Sequence, residues 1–143
     1  MQGIPPIKAV MTPFPYSIGS GESISRASQM MRQHAIRHLP VMEAGKLVGM
    51  VSDRDVRLIL DPKRQLPPDD CTVGDICARD IYVVQLADPL DRVLAQMARK
   101  HIGSAVVVKQ GRLAGIFTVT DACRLYAELL QSLYPSQKNQ EPA

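Results

Sequence analysis

The segment Gly49-Met50-Val51-Ser52-Asp53-Arg54-Asp55 sets a hydroxyl three residues ahead of a carboxylate, at the end of an apolar run. Gly115-Ile116-Phe117-Thr118-Val119-Thr120-Asp121 does the same. Both fit G-h-h-[ST]-x-x-D, with h apolar. Two chemistries suit the pattern. In one, the Ser or Thr caps a helix, the acid closes a capping box, and the carboxylate sits well in the helix dipole. In the other, the glycine leaves room for something to approach the backbone closely. The helix start then offers free N–H groups to an anion. A carboxylate one turn in can accept from two vicinal hydroxyls, as a ribose presents them. A nucleoside phosphate carries both an anion and such a diol.

The two motifs belong to an internal repeat. Residues 7–56 lie on residues 73–122 at a constant offset of 66, without a gap. Tyr16, Arg26, Met31, Ile36, Val41, Gly45, Leu47, Gly49 and Asp55 meet their own residue type, nine identities in fifty positions. Chance would give roughly three at typical residue frequencies. A period this long suggests two supersecondary units packed as one pseudo-symmetric body, with paired sites at matching positions.

The elements that must position the motifs follow from local signals. Ser23 is an N-cap for a helix with Ile24, Ala27, Met30 and Met31 on one face. In the second unit Asp88 is expected to cap and Pro89 to take the first helical position, ahead of a stripe of Leu90, Val93, Leu94 and Met97. Strands follow at Leu39–Met42 and Ala105–Val108, then tight turns through Gly45 and Gly111, then return strands from Leu47 and Leu113. Helices start at Ser52 and Thr118, and short strands lie near Tyr16–Ile18 and Tyr82–Val84. The order per unit is β-α-β-β-α, an α+β fold with α/β-like character. Residues 61–72 are polar and proline-rich and read as a linker. Residues 126–134 extend the last helix through Leu129, Leu130 and Leu133 until Pro135, and residues 135–143 are expected to be a disordered tail.

Composition limits the function. The chain has 143 residues, room for one domain or two half-domains sharing a core, and 45% of them are hydrophobic. The net charge of +3 is spread along the chain, which argues against nucleic acid. No apolar run is long enough to span a membrane, and the N-terminus has no signal-peptide pattern. Cys71, Cys77 and Cys123 form neither a disulfide framework nor a zinc spacing, so a reduced cytoplasm is the expected location and no metal is expected. Met30, Met31, Met42 and Met50 read as core filler. No nucleophile–base pair, H-E-x-x-H, G-x-S-x-G or phosphate loop is present, so no enzyme activity is expected.

With these residues in view, the chain resembles a tandem pair of CBS domains, a Bateman module. Val10-Met11-Thr12-Pro13, Arg37-His38-Leu39-Pro40-Val41 and Gly49 to Asp55 carry the resemblance, which covers about residues 7–125. It implies CBS units at 7–60 and 73–125, packed through their sheets. The two clefts between them often hold AMP, ADP, ATP or S-adenosylmethionine as regulatory ligands, with no cofactor required. By the same resemblance, Asp55 and Asp121 would hold ribose hydroxyls, and Ser52 and Thr118 the ribose or α-phosphate. Thr12, Pro13, Tyr16, Ser17, Ile18, Leu39 and Pro40 would line the adenine pocket of the first site. Ala78, Arg79, Tyr82, Val83, Val84, Ala105 and Val106 would do so in the second.

Arg37, His38 and Arg54 could contact phosphate, Arg in bidentate fashion, or could be solvated surface charges. Their counterparts Gly103, Ser104 and Thr120 are neutral, so the clefts are expected to differ in phosphate preference. The resemblance further implies a disc-like homodimer, to which the last helix could contribute, and a regulated target on a separate chain. A structural or dimerisation module with vestigial clefts is the competing reading.

Overall fold

The computed structural model describes residues 3–63 and 71–135. The interior of the linker and residues 136–143 therefore lie outside the described residues. A 3-10 turn at Ile7–Ala9 leads into β1 (Thr12–Pro13), β2 (Ile18–Gly19), α1 (Ile24–His34), β3 (His38–Glu43), β4 (Lys46–Ser52) and α2 (Asp53–Leu60). The second unit runs through α3 (Val73–Ile76), β5 (Val83–Gln85), α4 (Leu90–Lys100), β6 (Ser104–Lys109), β7 (Arg112–Thr118) and α5 (Val119–Leu133). The expected order is present, with β2 and β5 displaced one residue or more C-terminally, so that Tyr16 and Tyr82 fall outside them. The opening turn and α3, offset by 66, had no sequence signal strong enough to be expected.

Local chemistry accounts for most boundaries. Ser23 caps α1, its side chain accepting from the Arg26 N–H at 3.0 Å. The expectation for α4 is corrected. Its N-cap is Pro89, and Asp88 does not cap it. The Leu90 N–H donates to the Pro5 carbonyl at 2.9 Å, so the donor a cap would satisfy is already taken. Asp88 instead closes the preceding turn, its Oδ2 accepting from the Gln85 N–H at 2.8 Å.

Each hairpin turns on two residues, and both have positive φ: Ala44 at 51° with Gly45 at 79°, and Gln110 at 52° with Gly111 at 77°. That is a type I′ turn, whose hand matches the twist of the flanking strands. Glycine serves one position, but alanine is strained at the other. Replacing Ala44 with Asn should therefore raise stability by about 0.5–1 kcal/mol, visible as a higher urea midpoint at unchanged m.

The strands form two sheets, β2-β3-β4 and β1-β7-β6-β5. The expected chain segments do not coincide with the packed bodies, because each unit's leading segment crosses to the other unit. β1 pairs antiparallel with β7, Thr12 opposite Ile116 and Pro13 opposite Gly115. At the matching place, Ala78 bridges Met50, with reciprocal backbone bonds of 2.9 and 2.8 Å. Ile7, Val10 and Met11 pack into the core of the second unit, against Val93, Met97 and Phe117. Val73, Ile76 and Cys77 pack into the first, with Ile24, Leu39 and Val56. Val106, Val108, Ile116 and Met50 form a third cluster joining the sheets. Cys71 and Cys77 are half-buried core neighbours, consistent with their reading as small apolar residues. Among the described residues, no helix is long and apolar enough to cross a membrane.

The exchange explains the two motif glycines. The space over them is filled by the other unit's leading segment, and no ligand is needed to account for it. A Cβ on Gly49 would lie 2.7 Å from both the Ala78 carbonyl oxygen and Cys77 Sγ. A Cβ on Gly115 would overlap the Met11 side chain and lie 3.0 Å from the Thr12 oxygen.

Candidate functional site

Both hydroxyl–Asp pairs form capping boxes at helix starts. Asp55 Oδ2 accepts from the Ser52 N–H at 3.2 Å and from Ser52 Oγ at 2.9 Å, while Ser52 Oγ accepts from the Asp55 N–H at 3.2 Å. Asp121 Oδ2 accepts from the Thr118 N–H at 2.8 Å and from Thr118 Oγ1 at 3.1 Å. Capping and ligand binding are therefore compatible, because the box fixes each carboxylate through one oxygen. Asp121 Oδ1 has a long contact to Arg124 at 3.5 Å and retains acceptor capacity.

The spacing alone does not define a ligand site. Asp75 Oδ2 accepts from the Thr72 N–H at 2.9 Å in the same hydroxyl-x-x-Asp pattern, at the start of the four-residue α3. That bond is the main cause holding the exposed Asp75 carboxyl below its ordinary pKa, and it marks a purely local cap.

The fold gathers one set of residues into a cleft of about 410 Å³. Thr12, Ala35, Ile36, Arg37 and His38 line it from the first unit, and Ile116, Thr118, Thr120 and Asp121 from the second. The volume falls within the usual range for small-molecule sites. This arrangement revises the sequence grouping. Thr12 meets the motif of the second unit because β1 crosses to β7, while Arg37 and His38 border the same cleft and also adjoin their own motif, the Asp53 N–H donating to the Arg37 carbonyl at 2.8 Å and His38 pairing with Ser52. Ala35, Ile36 and Ile116 were not singled out from sequence. Ile36 carried a faint signal as one of the nine repeat identities. Ala35 joins through its left-handed backbone at the end of α1, φ 54°.

Several residues expected in an adenine pocket lie elsewhere. Ile18, Leu39, Val84 and Ala105 are buried inside the two unit cores, and Val106 is buried between the sheets. Pro40, paired with Met50, is also fully buried. Strand alternation puts these side chains in the cores, away from any opening. Tyr16 stacks on His34 with ring centroids 3.6 Å apart. Arg79 donates to the Gly74 carbonyl at 3.2 Å, and Tyr82 packs on the second core. Pro13, Ser17, Val83 and Arg54 are exposed and do not border the 410 Å³ cleft. Ser52, Asp55 and Arg54 also stand apart from it, on the first unit's own motif. By the repeat offset, Ala78 and Ser104 match Thr12 and His38 on that side.

His38 opens β3 opposite Ser52, and a Cβ on Gly103 would lie 3.6 Å from its Nε2. Burial lowers its pKa, the nearby Asp55 opposes this, Arg37 reinforces it, and Asp53 opposes it. The imidazole is thus neutral at physiological pH. The sign for stability follows. The unfolded chain takes up this proton more readily, so stability is complete above the unfolded pKa near 6.5 and is lost as pH falls through the depressed folded value. Between about pH 7.5 and 5.5, wild type should lose more Tm than His38→Gln, measured by differential scanning calorimetry.

A CBS-domain profile matches residues 7–61 and 73–128, and the chain belongs to the CBS-domain family as a tandem pair. It is 32% identical over 108 residues to hypoxic response protein 1 of Mycobacterium tuberculosis, across 75% of both proteins. It is 30% identical over 122 residues to L-aspartate semialdehyde sulfurtransferase of Methanocaldococcus jannaschii, matching 84% of this chain. The match spans only 23% of that enzyme's length. The CBS domain pair of protein MJ0100, solved in complex with 5′-methylthioadenosine and S-adenosyl-L-methionine, superposes with a TM-score of 0.78 and 28% identity. That superposition covers 88% of this chain and 98% of the other.

Proposed function

We propose that this chain is a regulatory sensor of adenosine-type ligands, AMP, ADP, ATP or S-adenosylmethionine, and that it is not an enzyme. The single observation behind this reading is the cleft walled by both units, with a diol acceptor at Asp121 and a hydroxyl at Thr118. A ligand there touches Ala35–His38 on one side and Thr12, Thr118, Thr120 and Asp121 on the other, so its occupancy biases the relative position of the units. A separate cytoplasmic protein would read that change. The MJ0100 pair, which holds adenosine derivatives, supports the ligand class.

Thermal shift with AMP, ADP, ATP, S-adenosylmethionine and NAD tests the reading. A ligand at a hundred times its Kd stabilises the folded state by about 2.7 kcal/mol. No shift with any of them would leave the dimerisation module in its place.

The partner in solution is proposed to be a second copy of this chain. α5 has no buried residue, and Tyr126, Leu129 and Leu133 are all more than half exposed, at 62%, 51% and 61%. They continue an apolar groove between α4 and α5 lined by Leu94, Met97, Ile102 and Leu130. A helix that presents such a face needs a partner surface to cover it. Leu129→Glu with Leu133→Glu should convert a dimer to a monomer in light scattering coupled to gel filtration. A wild-type monomer would contradict the dimer.

A further inference from the structure

The two units carry matching helix pairs, α1 with α2 and α4 with α5, related by the repeat offset of 66. The groove between α4 and α5 has a volume of about 640 Å³, and its lining includes no Asp, Glu, Lys, Arg or His. The smaller cavity between α1 and α2, about 260 Å³, is lined by Arg32, Asp53 and Arg57 among others. At four matching positions the residue types are opposed. Ser28, Arg32, Asp53 and Arg57 of the first unit stand where the second has Leu94, Ala98, Val119 and Cys123. Asp53 and Arg57 pair at 2.9 Å with the Arg57 side chain 78% exposed, so the first face is satisfied in water. The second face is not, since Val119 is 48% exposed on it and Tyr126 62%. α5 also outruns its counterpart, with 15 residues against 8 in α2, and the added turns carry Leu129, Leu130 and Leu133.

We infer that the α4/α5 groove is covered by the α4/α5 groove of a second copy, in an isologous pair, and not by that copy's α1/α2 face. The inference rests on the second-copy reading above and fixes which surface of the copy is used. Charge decides between the two. Laying α1/α2 on the groove would strip water from Arg32 and from the Asp53–Arg57 pair, and no carboxylate lines the groove to meet Arg32. Laying the groove on its own copy buries apolar surface on both sides and desolvates no lining charge. An isologous patch must be self-complementary. This one sets small residues, Ala98, Ala122 and Ala127, beside large ones, Tyr126 and Leu130, so the ridges of one helix pair can seat in the grooves of the other.

Photo-cross-linking of the full chain tests the orientation, with Tyr126→p-benzoylphenylalanine as the probe. Isotopically labelled and unlabelled copies are mixed, so mass spectrometry separates cross-links between copies from those within one. Light scattering first establishes that wild type and variant are pairs. Cross-links between copies should fall on α4 and α5 and outnumber those on α1 and α2 by at least about tenfold, because the alternative leaves buried guanidiniums unpaired. The same probe at Glu128, exposed on α5 beside the groove, is read by the same criterion if the bulkier ring at 126 breaks a pair that wild type forms.

A majority of cross-links on α1 and α2 of the other copy would overturn the orientation and leave the second-copy reading standing. A wild-type monomer in light scattering, with no cross-link between copies, would overturn both.

Discussion

Gly49→Ala should lower Tm by about 6–12 °C, corresponding to roughly 3 kcal/mol, the upper range for overpacking a well-packed site. The added methyl would sit 2.7 Å from the Ala78 oxygen. That same oxygen accepts the Met50 N–H at 2.9 Å. Backbone cannot swing aside as a side chain can, so relief means breaking the bridge that ties the leading segment of the second unit to the first. Gly115→Ala meets chiefly the flexible Met11 side chain, with the Thr12 oxygen at 3.0 Å. It should cost less, and Met11→Ala should partly rescue it. Equal, small losses at both glycines in urea titrations would mean that the exchanged segments are not held as described.

Asp121→Ala should weaken the tightest adenosine ligand by roughly ten- to a hundredfold, the range for losing hydrogen bonds to a charged acceptor. It should also cost about 1 kcal/mol of stability through the lost capping box. These effects need separating. Asp121→Asn keeps a side-chain oxygen for the Thr118 N–H and should restore most of the stability. It removes the charge and one acceptor oxygen, so affinity should stay low. Asp75→Ala is the matched control, since Asp75 makes the same local cap away from the cleft. It should lose a comparable amount of stability and no affinity. A parallel loss of affinity in Asp75→Ala would mean that the ligand reads global stability.

Much of this architecture was legible in the chain. The offset of 66 located both units, and period and turn chemistry located α1, both hairpins and the starts of α2 and α5. The start of α4 was misplaced because the donor that a cap would satisfy is taken by Pro5, a contact distant in sequence. The exchange of leading segments was likewise invisible, since pairing of β1 with β7 leaves no periodic trace in a two-residue strand. Gly49 and Gly115 signalled close approach correctly, but sequence could not say that backbone of the other unit makes it.

The motif residues Thr118 and Asp121 border the cleft, while Ser52 and Asp55, with the same spacing, stand apart from it. Leu39, Ala105 and Val84 do not border it either, because strand alternation turns them into the cores. Arg37 and His38 adjoin their own motif, His38 opposite Ser52, and also border the cleft at the other motif, a placement that depends on how the two units pack.

The most direct test is an amide chemical-shift titration of the isotopically labelled chain with AMP. Binding in the cleft between units predicts shifts at Thr12, Ala35–His38 and Thr118–Asp121 together, abolished by Asp121→Ala. Shifts confined to one unit, or an unchanged spectrum at saturating AMP and ATP, would contradict a sensor that works by bridging the two.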